Sequence, residues 1–162
     1  MTKLLRYAMN ILAIRDHSEW ELRRKIAAQL QNDLAIECCD EEAVSAHEGS
    51  YIEQVIDYCK QHAWLDDRAF ASRYIRSRSR KGYGSQRICA ELTQKGIDKH
   101  TQRDVLLASD IDWYQLAKTS ATRKFGMPLS SDWKEKVKVQ RYLLYRGFTS
   151  DEIQSVYMNF SD

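Results

Sequence analysis

Proline is almost absent from this chain: Pro128 is the only one in 162 residues, and glycine occurs six times. Sandwiches and barrels need frequent turn residues, so this scarcity excludes most all-β architectures and favours helices. No apolar run approaches the ~20 residues of a membrane-spanning helix. Met1 to Arg15 carries charges and lacks the apolar core and small-residue cleavage site of a secretory signal, so a cytoplasmic location is expected. Catalytic motifs are missing too. There is no P-loop, nucleophile elbow, HExxH or glycine-rich dinucleotide fingerprint. The cysteines are Cys38, Cys39, Cys59 and Cys89. None makes a C-x-x-C, and His17, His47, His62 and His100 do not pair with them at ligand spacing. Reduced thiols are therefore expected, with no metal, cofactor or catalytic group.

What is present is helical periodicity and segregated charge. The net charge is only +2. It is unevenly placed: residues 16–62 are acidic, while 68–87 and 118–146 are basic. A first helix is expected over Lys3 to Arg15. Ser18-x-x-Glu21, Ser50-x-x-Glu53 and Thr149-x-x-Glu152 are capping boxes, each expected to open a helix. Between the first two, residues 31–49 are polar and acidic, and are expected to form a long loop or partly ordered insert. Asp98 and the Asp110–Trp113 stretch mark further helix starts, and Ser130 or Ser131 is expected to cap a long basic helix reaching Arg146. The last helix should bury Ile153, Val156, Tyr157 and Phe160.

The centre of the pattern is the stretch 66–97, DDRAFASRYIRSRSRKGYGSQRICAELTQKGI. Asp66 and Asp67 suit a helix N-terminus, where carboxylates meet the positive end of the dipole. Capping explains them better than metal binding, and the same holds for Asp110 and Asp112. Phe70, Ala71 and Tyr74 form an apolar face. Arg73, Arg76 and Arg80 fall at i, i+3 and i+7 and make a basic stripe. Arg78 lies instead on the apolar side, where an ion pair or a snorkelling stem is the ordinary role. Lys81-Gly82-Tyr83-Gly84 ends this helix, and a second, with Ile88 and Leu92 inward, stops at Lys95-Gly96.

The chain repeats itself. Ile88, Leu92, Gly96 and Ile97 match Val139, Leu143, Gly147 and Phe148 in spacing. Leu22, Ile26 and Leu30 match the first part, with Leu30 where the others have glycine. Each match has a helix before it and a helix after it. The expected fold is therefore all-α, about nine helices in three tandem three-helix, helix-turn-helix-like repeats over residues 1–62, 63–109 and 110–162.

These residues resemble the RecX regulatory proteins of bacteria. The resemblance is carried by 66–97, by RDHSEWELRRKI at 15–26 and by KVQRYLLYRGF at 138–148. Its most specific part is one register of Asp66, Asp67, Phe70, Tyr74, Arg78, Gly82, Gly84, Ile88, Leu92, Lys95, Gly96 and Ile97, with Gly147 in the last repeat. The resemblance implies an elongated, curved body and a non-enzymatic modulator of the RecA recombinase. Such a protein binds the RecA–single-stranded DNA filament and inhibits its ATPase, strand-exchange and co-protease activities, within DNA repair and the SOS response. It also implies weaker direct binding of single- and double-stranded DNA. A monomer is expected.

Arg73, Arg76, Arg80, Lys81, Arg87, Lys134, Lys138 and Arg141 are the expected contacts to an acidic recombinase surface or to phosphates. A solvated helix face is the plainer reading of the same stripe. The alternative function is a stand-alone nucleic-acid-binding protein, with these cations on phosphates and Tyr83 or Trp113 stacking on bases.

Overall fold

The computed structural model describes residues 2–37 and 41–158. Every regular element among them is an α-helix. In chain order these are α1 (Thr2–Ile14), α2 (Glu19–Glu37), α3 (Glu41–Gln61), α4 (Asp67–Arg80), α5 (Ser85–Gln94), α6 (Lys99–Leu107), α7 (Trp113–Phe125), α8 (Trp133–Arg146) and α9 (Ser150–Met158).

Local sequence explains most helix ends. The Ser18 hydroxyl accepts from the Glu21 N–H at 3.2 Å while the Glu21 carboxylate accepts from the Ser18 N–H at 3.4 Å, a reciprocal capping box. Thr149 and Glu152 repeat the arrangement at 3.3 and 2.8 Å. Asp66 caps α4 through the Ala69 N–H, Asp98 caps α6 through Thr101, and Asp112 caps α7 through Gln115. Gly82, Gly96 and Gly147 have φ of 78°, 77° and 89°, the left-handed geometry in which glycine ends a helix without strain.

Three expectations are corrected. Residues 31–37 continue α2 and 41–49 belong to α3, so these are helix and not loop. Gln31 to Glu37 includes the helix formers Gln31, Leu34, Ala35 and Glu37 and neither glycine nor proline, so nothing in it stops a helix already under way. Ser50 is no cap either. It lies inside α3, where its hydroxyl accepts from the Gln54 amide, and Glu53 pairs with Arg23. The cap of α8 is Asp132, which accepts from Lys134 and Glu135, while the Ser130 hydroxyl accepts from the Asp132 N–H. Cys38, Cys39 and Phe160 lie outside the described residues.

The chain divides into two compact units. The first is Met1–Phe70 with Lys95–Ile97; the second is Ala71–Gln94 with Asp98–Asp162. In the first, α1, α2 and α3 pack on one another around Leu4, Ala8, Leu22, Ile26, Val55, Ile56 and Cys59. In the second, α7 packs against α8 and α9 around Ala117, Ala121, Val139, Leu143, Phe148 and Val156. Ile75, Ile88 and Leu92 are also fully enclosed. Ile75 was not anticipated. The expected Tyr74 is only half-buried, because its hydroxyl reaches Glu91 at 2.8 Å.

Candidate partner-binding surface

The basic stripe of α4 is on the surface. Arg73, Arg76, Arg80 and the following Lys81 are all exposed. Helical spacing brings the three arginines to one face, as i, i+3 and i+7 require. Arg78 is turned away from them. Its guanidinium makes a two-point hydrogen-bonded pair with Glu91 of α5, the Nε contact being 2.7 Å. From Arg68 through Gln94, Glu91 is the one acidic residue, and it gathers charge accordingly. The Tyr74 hydroxyl and Arg87 Nε also donate to it, at 2.8 and 3.3 Å. Burial pushes the Glu91 carboxyl up, but Arg78, Tyr74 and Arg87 together pull it further down, so it is ionised throughout the neutral range.

Around this pair stands an aromatic and cationic cluster that spacing alone did not reveal. The guanidinium carbons of Arg78, Arg87 and Arg146 lie 3.9, 4.8 and 4.7 Å from the centre of the Tyr83 ring. Arg87 also stands 4.9 Å over Tyr145, and Arg146 stands 5.1 Å over Tyr142. Cation–π contacts of this kind add about 0.5–1 kcal/mol each near a surface. Arg87, expected to face a partner, uses its guanidinium on Glu91 and on the Tyr145 carbonyl, 3.2 Å away. The one legible trace of the cluster was a tyrosine flanked by glycines beside a solitary glutamate.

The cluster marks where α5 begins against the end of α8. The Gly84 N–H donates to the Arg146 carbonyl at 2.9 Å and the Gln86 N–H to the Gly147 carbonyl at 3.1 Å. These pair the free donors of one helix start with the free acceptors of one helix end. A Cβ on Gly84 would overlap the Gly147 carbonyl, so only glycine fits.

On α8, Lys134, Lys138 and Arg141 are exposed. Lys138 pairs with Glu135 at 2.7 Å, one turn away. In the first unit, Glu19 and Glu53 are matched by cations. Glu19 pairs with Arg23 and Lys60 at 2.8 and 2.6 Å, and Glu53 takes the other side of Arg23. Among the described residues, no group of three His, Cys, Asp or Glu side chains could hold a metal ion, and no helix is long and apolar enough to cross a membrane.

Comparisons with known proteins agree on one family. Residues 66–106 match the description "RecX, second three-helix domain" and residues 110–157 match "RecX, third three-helix domain". The chain is 59% identical over 162 residues to "Regulatory protein RecX" of Pectobacterium atrosepticum, spanning 100% of both chains. It is 54% identical over 170 residues to the protein of that name in Serratia proteamaculans, covering 99% of each. The crystal structure of RecX from Lactobacillus salivarius superposes with a TM-score of 0.74 over 98% of this chain and 94% of that one. Its 21% identity makes this a likeness of fold.

Proposed function

The chain belongs to the RecX family of regulatory proteins, and from that premise we propose that it regulates the RecA recombinase by binding the RecA–single-stranded DNA filament. Binding inhibits the filament's ATPase, strand-exchange and co-protease activities, in DNA repair and the SOS response. The protein acts as a monomer built of three three-helix repeats, over 1–62, 63–109 and 110–162. It needs no catalytic group. A ligand shifts a filament between states by binding one state better than another, and that difference in affinity sets the size of the effect. The carrying observation is the exposed stripe of Arg73, Arg76 and Arg80 with Lys81 on α4. These cations face outward while Arg78 and Arg87 are held by Glu91. Lys134, Lys138 and Arg141 on α8 supply a second basic face. Direct binding of single- and double-stranded DNA is weaker.

The test is RecA ATPase on single-stranded DNA, titrated with this protein. Inhibition is expected at protein levels too low to coat the DNA. Changing Arg73, Arg76 and Arg80 together to Ala should abolish it while leaving the fold intact. Unchanged inhibition by that folded variant would sink the assignment of the face. A second reading, a stand-alone nucleic-acid-binding protein, is favoured by one observation: Tyr145 is exposed beside Arg87, as a base-stacking ring would be. It predicts inhibition only when the DNA is saturated, and a fall in affinity with salt of about 0.7–0.9 log units per log salt for each phosphate contacted.

A further inference from the structure

We infer that the outward face of α8 is a docking surface for an acidic, amphipathic helix of a partner protein. The inference deepens the proposed reading, since it rests on Lys134, Lys138 and Arg141 facing a partner, and it names the chemistry they meet.

At about 100° per residue, Gln140, Trp133, Leu144 and Val137 fall in that angular order within an arc of about 60°. Arg141, Lys134, Tyr145 and Lys138 fill the adjoining arc of about 60°. One half of the helix surface therefore carries an apolar stripe beside a basic one. Trp133 is 73% exposed, Leu144 61% and Tyr145 73%. Val137 is half-buried, and Lys134, Lys138 and Arg141 are exposed. The inward positions Val139 and Leu143 already supply the core. The outer apolar residues are thus additional to what folding needs.

Charge and shape together select the occupant. The basic stripe meets two local carboxylates, Glu135, which pairs with Lys138, and Asp132, which caps the helix. Lys134, Lys138 and Arg141 outnumber them, so the complement is acidic. Phosphates would satisfy that charge, yet they would leave Val137 and Leu144 in water. An amphipathic helix with carboxylates on one edge and large apolar residues on the next covers both stripes at once. From Trp133 to Leu144 the face runs about 16 Å, matching about three turns of a partner helix.

The test uses the full chain without recombinase. The probe is a fluorescein-labelled synthetic helix of about three turns, with glutamates on one stripe and leucine and phenylalanine on the adjoining stripe. A scrambled peptide of the same composition and a labelled oligothymidylate are the controls. The segregated peptide is expected to bind at least about tenfold tighter than the scrambled one. Leu144→Ser and Arg141→Glu should each weaken it by about tenfold or more, and Trp133→Ser is the second apolar variant. All three positions are exposed, and equal melting temperatures keep the comparison on binding. Equal binding of both peptides, or no effect of Leu144→Ser, overturns the inference. So does loss of oligothymidylate binding with the peptide spared, which gives the face to nucleic acid. Self-association that disappears in Leu144→Ser gives it to a second copy and overturns it as well. No arm contains recombinase, so the α4 arginine variants judge the RecA reading separately.

Discussion

Two helix-end junctions solve the same physical problem in different ways. In the first unit, the turn after α5 meets the start of α2. The Ser18 hydroxyl donates to the Lys95 carbonyl at 2.5 Å, and the Lys95 ammonium pairs with Glu21 at 2.7 Å. In the second unit, the start of α5 meets the end of α8, and the bonds are backbone to backbone, from Gly84 and Gln86 to the carbonyls of Arg146 and Gly147. Both place the acceptor end of one helix against the donor end of another. A junction made by side chains can be retuned by substitution and responds to pH. A junction made by backbone depends on the absence of a side chain and on nothing that titrates.

Placing a side chain in either junction should have the largest effect. Gly84→Ala sets a Cβ against the Gly147 carbonyl, which cannot swing aside, and should cost about 3 kcal/mol in urea unfolding. Gly96→Ala at the other junction meets the Trp20 Cβ, which the backbone holds in place, and its φ of +77° adds a left-handed penalty, so the loss should be at least as large, about 3 kcal/mol. A loss below about 1 kcal/mol for either variant would contradict the close approach at that junction.

Next comes the carboxylate beside the backbone junction. Glu91→Gln leaves Arg78 and Arg87 without their counter-charge, and should cost about 1.5 kcal/mol, below the figure for a fully buried pair because the site is half-open. Since the Glu91 carboxyl is held below its ordinary value, its contribution is full above the unfolded value of about 4.3 and is lost as pH falls through the lower folded value. Glu21 behaves likewise: burial raises it, while Lys95 and Arg15 pull it further down. Acid titration of unfolding free energy should therefore be flatter in Glu91→Gln.

Ser18→Ala removes the α2 cap and the bond to Lys95 together, and should cost about 1 kcal/mol by thermal melting. Its neighbour His17 gives a subtler probe. The ring is 4% exposed, Nδ1 donates to the Arg15 carbonyl at 2.9 Å, and Nε2 has no partner. Burial holds its pKa below the ordinary 6.5, so the unfolded chain takes up the proton first. Stability should decline as pH falls below about 6.5. In His17→Asn that decline should vanish, which unfolding at pH values on either side would show. The smallest effect belongs to Lys138→Ala, whose exposed, solvent-screened pair with Glu135 should leave the melting temperature essentially unchanged.

Much of this was legible in the residues. Capping boxes at Ser18 and Thr149, the aspartate caps at 66, 98 and 112 and the terminating glycines gave helix ends directly, because those interactions span only three or four residues. Ser50 shows the limit of such signals: the same box is simply passed through where the helix has already begun upstream, at Glu41. The α4 stripe was legible because a surface helix displays its own spacing. Glu91 was not, because its partners Arg78 and Tyr74 sit on another helix, 13 and 17 residues away.

By itself the sequence determined the fold class, most helix starts and stops, and which cations share a face, since each depends on neighbours within a turn or two. Tertiary structure alone decided which cations remain outward. Arg73 and Arg87 look equivalent along the chain. Only the approach of the α8 end and the placement of Glu91 give Arg87 partners within the protein, by setting a carbonyl and a carboxylate within its reach.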